Sequence, residues 1–299
     1  MRANLLISIA CAVWSAAGWG AQQIACYEAR WADTEVKLDG DLSESVWAAA
    51  RAWTDYSALV GKGDVATLPT SVRFLYDAKG LYLGIVNGGL QPEARWCRHP
   101  VTDLRSAGED DCAEIYIDPE AQSIGFMKFV ANVTGGWCDY KRQDGQVVLM
   151  NWTAPGWRFK VKRTDAAWML EAFFPWSDLG KVPHGGDVWR ILHVRFHWFG
   201  PTHDIFALTS SPGGCYARPD CYGYLYFARP GEETSLETIG RRIVNDVPGV
   251  WFAAAGDETI TCAGDGIVKK GSRAELLAAE KKAAEDEAEW KRKLEERFK

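Results

Sequence analysis

The sequence has no apolar run long enough to cross a bilayer. Its first apolar stretch, Leu5 to Val13, falls short of the roughly 20 residues a spanning helix needs, and no later stretch is both long and free of charge. It also has no excess of basic residues: Lys and Arg number 34 against 40 Asp and Glu, a net charge of -6. No basic stripe precedes the C-terminal segment, so the electrostatic footprint of a nucleic-acid binder is missing. The cysteines never form paired C-x-x-C knuckles, which argues against a structural zinc site, and no internal repeat is present. This balance suits an uncharged or weakly polar ligand.

What is present begins with an export signal: Arg2, the apolar run, then small residues Ala16, Ala17, Gly18 and Gly20 as a cleavage region. Cleavage near Gly20 predicts a secreted or periplasmic protein of the cell envelope. Hydrophobic side chains make up 47% of the chain and aromatics 12%, enough for a sizeable core. Of eight cysteines, Cys11 leaves with the signal. In an oxidising compartment the rest can pair. Cys215 with Cys221, across a Gly- and Pro-containing loop, and Cys112 with Cys138, on or beside neighbouring predicted strands, are the candidate disulfides.

Between Val36 and Phe227 short alternating runs are broken by turn residues, the pattern of an all-β antiparallel sandwich, jelly-roll or immunoglobulin-like. Thr70 to Asp77 and the run from Leu81 make a predicted hairpin. In Cys112 to Asp118, Ala113, Ile115 and Ile117 oppose Glu114 and Tyr116; in Phe126 to Thr134, Met127, Phe129, Ala131 and Val133 oppose Lys128 and Asn132. One face reads as core, the other as a polar concave surface. Further strands are expected at Trp157 to Arg163, Ala167 to Phe174, Val188 to Trp198 and Tyr222 to Ala228, with a short N-terminal helix over Ser43 to Ala52 packing across one end. The expected organisation is a signal peptide over 1–20, the sandwich over 21–230, a linker or small appendage over 231–271, and a charged C-terminal helix over 272–299. Ser272 and Glu275 look like the capping box of that helix, which could serve as a contact for a protein partner.

Several segments, in order, resemble the family 9 carbohydrate-binding modules and the related DOMON-type sandwiches. They are Leu38-Asp39-Gly40-Asp41 running into Val46-Trp47, Val72 to Asp77 with Leu81-Tyr82-Leu83, Asp110 to Asp118, Trp168 to Ala172 with Pro175-Trp176, Gly186 to Ile191, and Tyr222 to Leu225. The resemblance implies a non-catalytic carbohydrate-binding protein associated with polysaccharide breakdown, holding an oligosaccharide or polysaccharide end between aromatic rings. It places Tyr216 as one aromatic wall, and Glu114 and Asn132 as hydroxyl-binding groups. The positions of a second wall and a basic partner fall near Gly108 and Val130. Arg195 is a further ligand-binding candidate, because His193, Arg195 and His197 alternate onto one strand face.

Two other functional classes fit parts of the pattern. A cell-envelope scaffold would use the sandwich as a frame and the tail as its contact. A glycoside hydrolase would need two carboxyls across the scissile bond, yet Glu114 and Asp118 lie about 13 Å apart along an extended chain. The sequence implies no cofactor; a structural calcium on the acidic segment around Asp110 is compatible with its oxygen donors, although the segment lacks the order of a calcium loop.

Overall fold

The computed structural model describes residues 25–54, 56–58, 68–89, 110–143, 147–199, 202–207, 219, 222–246, 252–255, 258–262 and 268–272, with part of 282–296. In chain order the elements are β1 (Cys26–Trp31), α1 (Ser45–Ala49), β2 (Ser57–Ala58), β3 (Thr70–Tyr76), β4 (Gly80–Gly88), β5 (Cys112–Asp118), β6 (Phe126–Asn132), β7 (Trp137–Gln143), β8 (Val147–Leu149), β9 (Arg158–Arg163) and β10 (Ala167–Pro175). They continue as α2 (Trp176–Leu179), β11 (Val188–Phe199), β12 (Thr202–Ala207), β13 (Gly223–Phe227), α3 (Leu236–Asp246), β14 (Phe252–Ala255), β15 (Glu258–Cys262) and β16 (Val268–Ser272).

One 13-stranded sheet runs β8-β7-β6-β5-β11-β13-β1-β3-β4-β10-β9, with β12 beside β11 and β2 beside β12. It curls so that its two halves face each other across the core, where Phe129 on β6 meets Phe174 on β10 with ring centroids 4.7 Å apart. The all-β sandwich is therefore present. It is mixed rather than purely antiparallel, because β1 lies parallel to both β13 and β3. Parallel neighbours need a long crossover, and residues 32–69, carrying α1, supply it between β1 and β3.

The predicted hairpin of β3 and β4 forms with Thr70 opposite Asn87 and Tyr76 opposite Leu81. Its turn is closed by Asp77, whose carboxylate accepts from the amides of Lys79 and Gly80. The short helix α1 does not cross an end of the sandwich. It lies on the outer face of β3, β4 and β10, where Val46 and Trp47 pack with Leu75, Tyr82 and Phe173. Gly84 makes this approach possible: a Cβ there would stand 2.8 Å from Leu42 and 2.9 Å from Trp47.

The segment after Pro230 is more ordered than its sequence suggests. Ser235 caps α3 by accepting from the Thr238 amide, and Leu236, Ile239 and Ile243, spaced for one helix face, join the main core. The helix packs against β1 and β13, and against β14 and β15 of a separate three-stranded sheet, β14-β15-β16. Ser272, expected to cap the C-terminal helix, instead ends β16. Beyond it the described residues of 282–296 are helical and exposed. Among the described residues no helix is long and apolar enough to cross a membrane.

Candidate functional site

Strand alternation and cross-strand register decide what faces outward on the β5 half of the sheet. Glu114 stands opposite Val130 on β6 and Val194 on β11; Tyr116 stands opposite Lys128, which stands opposite Tyr140 on β7. The Lys128 ammonium lies over both tyrosine rings, 5.2 Å and 5.4 Å from their centroids. It also pairs with Glu114 at 2.6 Å. The second Glu114 oxygen accepts from the Tyr116 hydroxyl at 2.5 Å. Burial opposes the charge on Lys128, but the Glu114 carboxylate more than offsets it and pushes the lysine pKa above its ordinary value. Burial, reinforced by Glu114, also pushes the Tyr116 hydroxyl well up, so Tyr116 stays a donor.

This charged and aromatic group forms the wall of a depression of about 50 Å³, bounded by Val130, Cys138, Asp139, Tyr140 and Met150. That is room for a hydroxyl group or a water, not a sugar ring. Beside it the face is apolar, with Leu192 and Val194 fully buried and Tyr116, Phe126 and Tyr222 packed together.

Asn132 shares the outward face of Glu114, one outward position further along β6, opposite Cys112. Its side chain is fully buried and organises the turn into β7. Its carbonyl oxygen accepts from the Thr134 amide and hydroxyl and the Gly136 amide, and its amide donates to Asp110. Tyr216, Cys215 and Cys221 lie outside the described residues.

Arg195 does not share the Glu114 face. Register places it opposite Ala113, so with His193 and His197 it points into the sandwich. Fully buried, it crosses the core to donate to the Thr70 hydroxyl and to the carbonyls of Pro69 and Gly88. Burial lowers its pKa to about 10, against the pull of Asp111. His193 Nδ1 bonds the Tyr56 hydroxyl at 2.5 Å, and burial together with nearby Arg195 pushes His193 down to about 3. The strip on β11 is a clamp between the two halves of the sheet, not a polar surface.

The Cys112–Cys138 bridge does not form: Cys112 is a free thiol, held protonated by burial. Strand β6 separates the two cysteines, with Cys138 opposite Val130. Two strand spacings of about 4.8 Å exceed the Cα separation a disulfide spans. The described carboxylates of the acidic segment, compatible by type with a calcium, are engaged within the chain. Asp111 is engaged by the Trp198 amide and faces His197, Asp110 accepts from Asn132, and Glu114 is paired with Lys128. Among the described residues no group of three or more His, Cys, Asp or Glu side chains is placed to hold a metal.

No family model matches the sequence, and no curated protein matches it. Solved structures do. A family 9 carbohydrate-binding module from Caldicellulosiruptor kristjanssonii, in complex with glucose, is similar with a TM-score of 0.50 and 13% identity, covering 70% of this chain and 99% of the module. A proposed carbohydrate-binding protein from Bacteroides uniformis ATCC 8492 is similar with a TM-score of 0.53 and 14% identity, covering 69% of this chain and 100% of that one. The fold is that of a family 9-like module. In this family 9-like sandwich, most segments that carry the sequence resemblance are used by the fold itself. Glu171, fully buried on β10, accepts from the amides of Asp39 and Gly40 and from the Trp47 indole; Gly40 has φ of 84°, a conformation that favours glycine. Trp176 donates to the Asp77 carbonyl.

The family 9-like sheet does not close on itself, because β8 and β9 end it without pairing to each other. Along the free edge of β9 opens a cleft of about 880 Å³. Trp137, Thr134 and Thr153 line it from one side, and Phe159, Lys160 and Tyr82 are among its other walls. No contiguous motif marks this cleft in the sequence, since its residues come from separated segments.

Proposed function

We propose that the chain is an exported, non-catalytic carbohydrate-binding protein, associated with polysaccharide breakdown. The observation that carries the reading is the Glu114 carboxylate, held by Lys128 and Tyr116 at the wall of a small depression on a fold shared with a module solved with glucose. A carboxylate whose partners are a long ammonium side chain and a hydroxyl can exchange them for sugar hydroxyls. The depression takes a hydroxyl, while the ring lies over its mouth against half-buried Tyr140 and exposed Met150. The family resemblance implies Tyr216 as the stacking surface, and Tyr216→Ala tests it.

The non-catalytic reading follows from the carboxylates. Asp118, on the same face, accepts from the amides of Glu120 and Ser123 and lies about 13 Å along the strand from Glu114, too far for a hydrolytic pair. The test is affinity electrophoresis or calorimetry of the mature chain against a panel of neutral oligosaccharides, with the paired variant Glu114→Gln, Lys128→Met as control. Binding that vanishes in this variant and weakens in Tyr216→Ala supports the reading. Binding indifferent to both, or absent across the panel, rejects it and leaves the envelope-scaffold role.

A further inference from the structure

We propose that the cleft along β9 is a second ligand site, and that it takes an acidic oligosaccharide, a sugar chain carrying carboxylates. The saccharide part rests on the function proposed above; the acidic part rests on the cleft. At about 880 Å³ the cleft has the size of a small-molecule site, whereas the depression at Glu114 holds about 50 Å³.

Its wall offers a stacking surface. Trp137 is half-buried, and its described ring contact is with Trp157, edge-on at 84°. Trp157 by contrast is sandwiched between Phe159 and Phe174, with interplanar angles of 24° and 6°, and belongs to the core. Among the described residues, then, Trp137 is the ring of this group with no aromatic stacked on its face, and the apolar face of a sugar ring packs on such a surface.

The rim carries the charge. Lys79, Arg158 and Lys160 are exposed around the cleft, against one exposed carboxylate, Glu35. The net charge of -6 suggests a ligand without negative charge, but the charged side chains lining the cleft are net positive, and they are what an incoming ligand meets. Among the described strands β9 pairs only with β10, so its other edge presents amides and carbonyls that hydroxyl groups can satisfy. Edge lysines by themselves deter strand addition. That role explains Lys160, but neither the cleft nor Trp137.

The experiment is calorimetric titration of the mature full chain with a galacturonate oligomer and, separately, a neutral gluco-oligosaccharide. The galacturonate is expected to bind, more weakly as salt is raised. Reversing two rim charges in Arg158→Glu, Lys160→Glu should weaken it by about tenfold or more, with neutral-sugar affinity unchanged. Trp137→Ala should weaken it by about tenfold, and near-ultraviolet circular dichroism shows that each variant is folded. Glu114→Gln, Lys128→Met should leave galacturonate binding intact. The inference is overturned if galacturonate does not bind, if the charge reversal leaves its affinity unchanged, or if the Glu114 variant abolishes it. It is overturned too if a glutamate-rich peptide binds the β9 edge more tightly than the sugar. Neutral-sugar binding lost only in the Glu114 variant keeps the proposed function standing in every one of these cases, and absence of binding by either sugar overturns both.

Discussion

The two outer faces of the sheet each bury a mid-strand glutamate, and they use it differently. Glu171 on β10 is satisfied by two backbone amides and an indole that arrive from the Asp39–Trp47 segment, so its partners are fixed by the chain path. Glu114 on β5 is satisfied by Lys128 and Tyr116, side chains of its own sheet, which can rearrange. A carboxylate tied to backbone is spent on the fold, and one tied to side chains remains usable by a ligand.

The comparison breaks most visibly at Glu171. Glu171→Ala leaves two buried donors, the Gly40 amide and the Trp47 indole, and the part-buried Asp39 amide without their acceptor, and should cost about 4 kcal/mol in urea denaturation. Arg195→Ala removes the clamp between the halves and should cost about 3 kcal/mol. If Arg195 acts only through the fold, sugar affinity in the folded fraction stays unchanged; a loss of affinity would put it back in the site.

Over a single pH unit a smaller effect separates the core strip from both faces. His193 is neutral in the folded chain, with its pKa pushed below the ordinary value to about 3. Its contribution is fully present above about pH 6.5 and is lost as pH falls towards 3, at up to about 1.4 kcal/mol per pH unit. Chemical denaturation at successive pH values measures this slope, and His193→Gln should flatten it. Glu171 works in the opposite sense: burial raises its pKa despite the hydrogen bonds it accepts, so protonation does not make acid the enemy of that face. The smallest expected effect is at the Glu114 pair. Replacing both partners together, Glu114→Gln with Lys128→Met, should change stability by about 1 kcal/mol or less, because neither charge is left alone. A loss comparable to that of Glu171→Ala would erase the distinction between the two faces.

Much of the sandwich was legible because its strands alternate, and β3, β4, β5, β6, β9, β10, β11 and β13 lie where the period-2 runs are. Strand β1 was not, since its neighbours lie far off in sequence and its run, Cys-Tyr-Glu-Ala-Arg-Trp, is buried even at Cys26 and Tyr27, on both faces. Helix α3 was missed because Leu236, Ile239 and Ile243 are its apolar anchors among charged residues. The signal was there, in their spacing and in Ser235. At the site, alternation put Glu114 and Asn132 on one face, as observed. It also put His193, Arg195 and His197 on one face, but could not say which: polarity suggested outward, and register against Ala113 and Ile115 turned them inward. Lys128 was read only as an outward polar residue. Its pairing with Glu114 depends on the stagger of β5 against β6, which no single strand encodes.

Among the described strands β1 joins the two halves of the hydrogen-bonded ladder, with β13 on one side and β3 on the other. Cys26 pairs with Tyr224 and Ala29 with Phe227, so during synthesis its β13 partner follows only after all of the other strands of the large sheet. Until then β1, already beside β3, carries an unprotected border, and any interrupted or prematurely released chain would present it to other chains as a template for misassembly. Late completion thus makes this protein dependent on being kept apart from its neighbours until translation has passed Phe227.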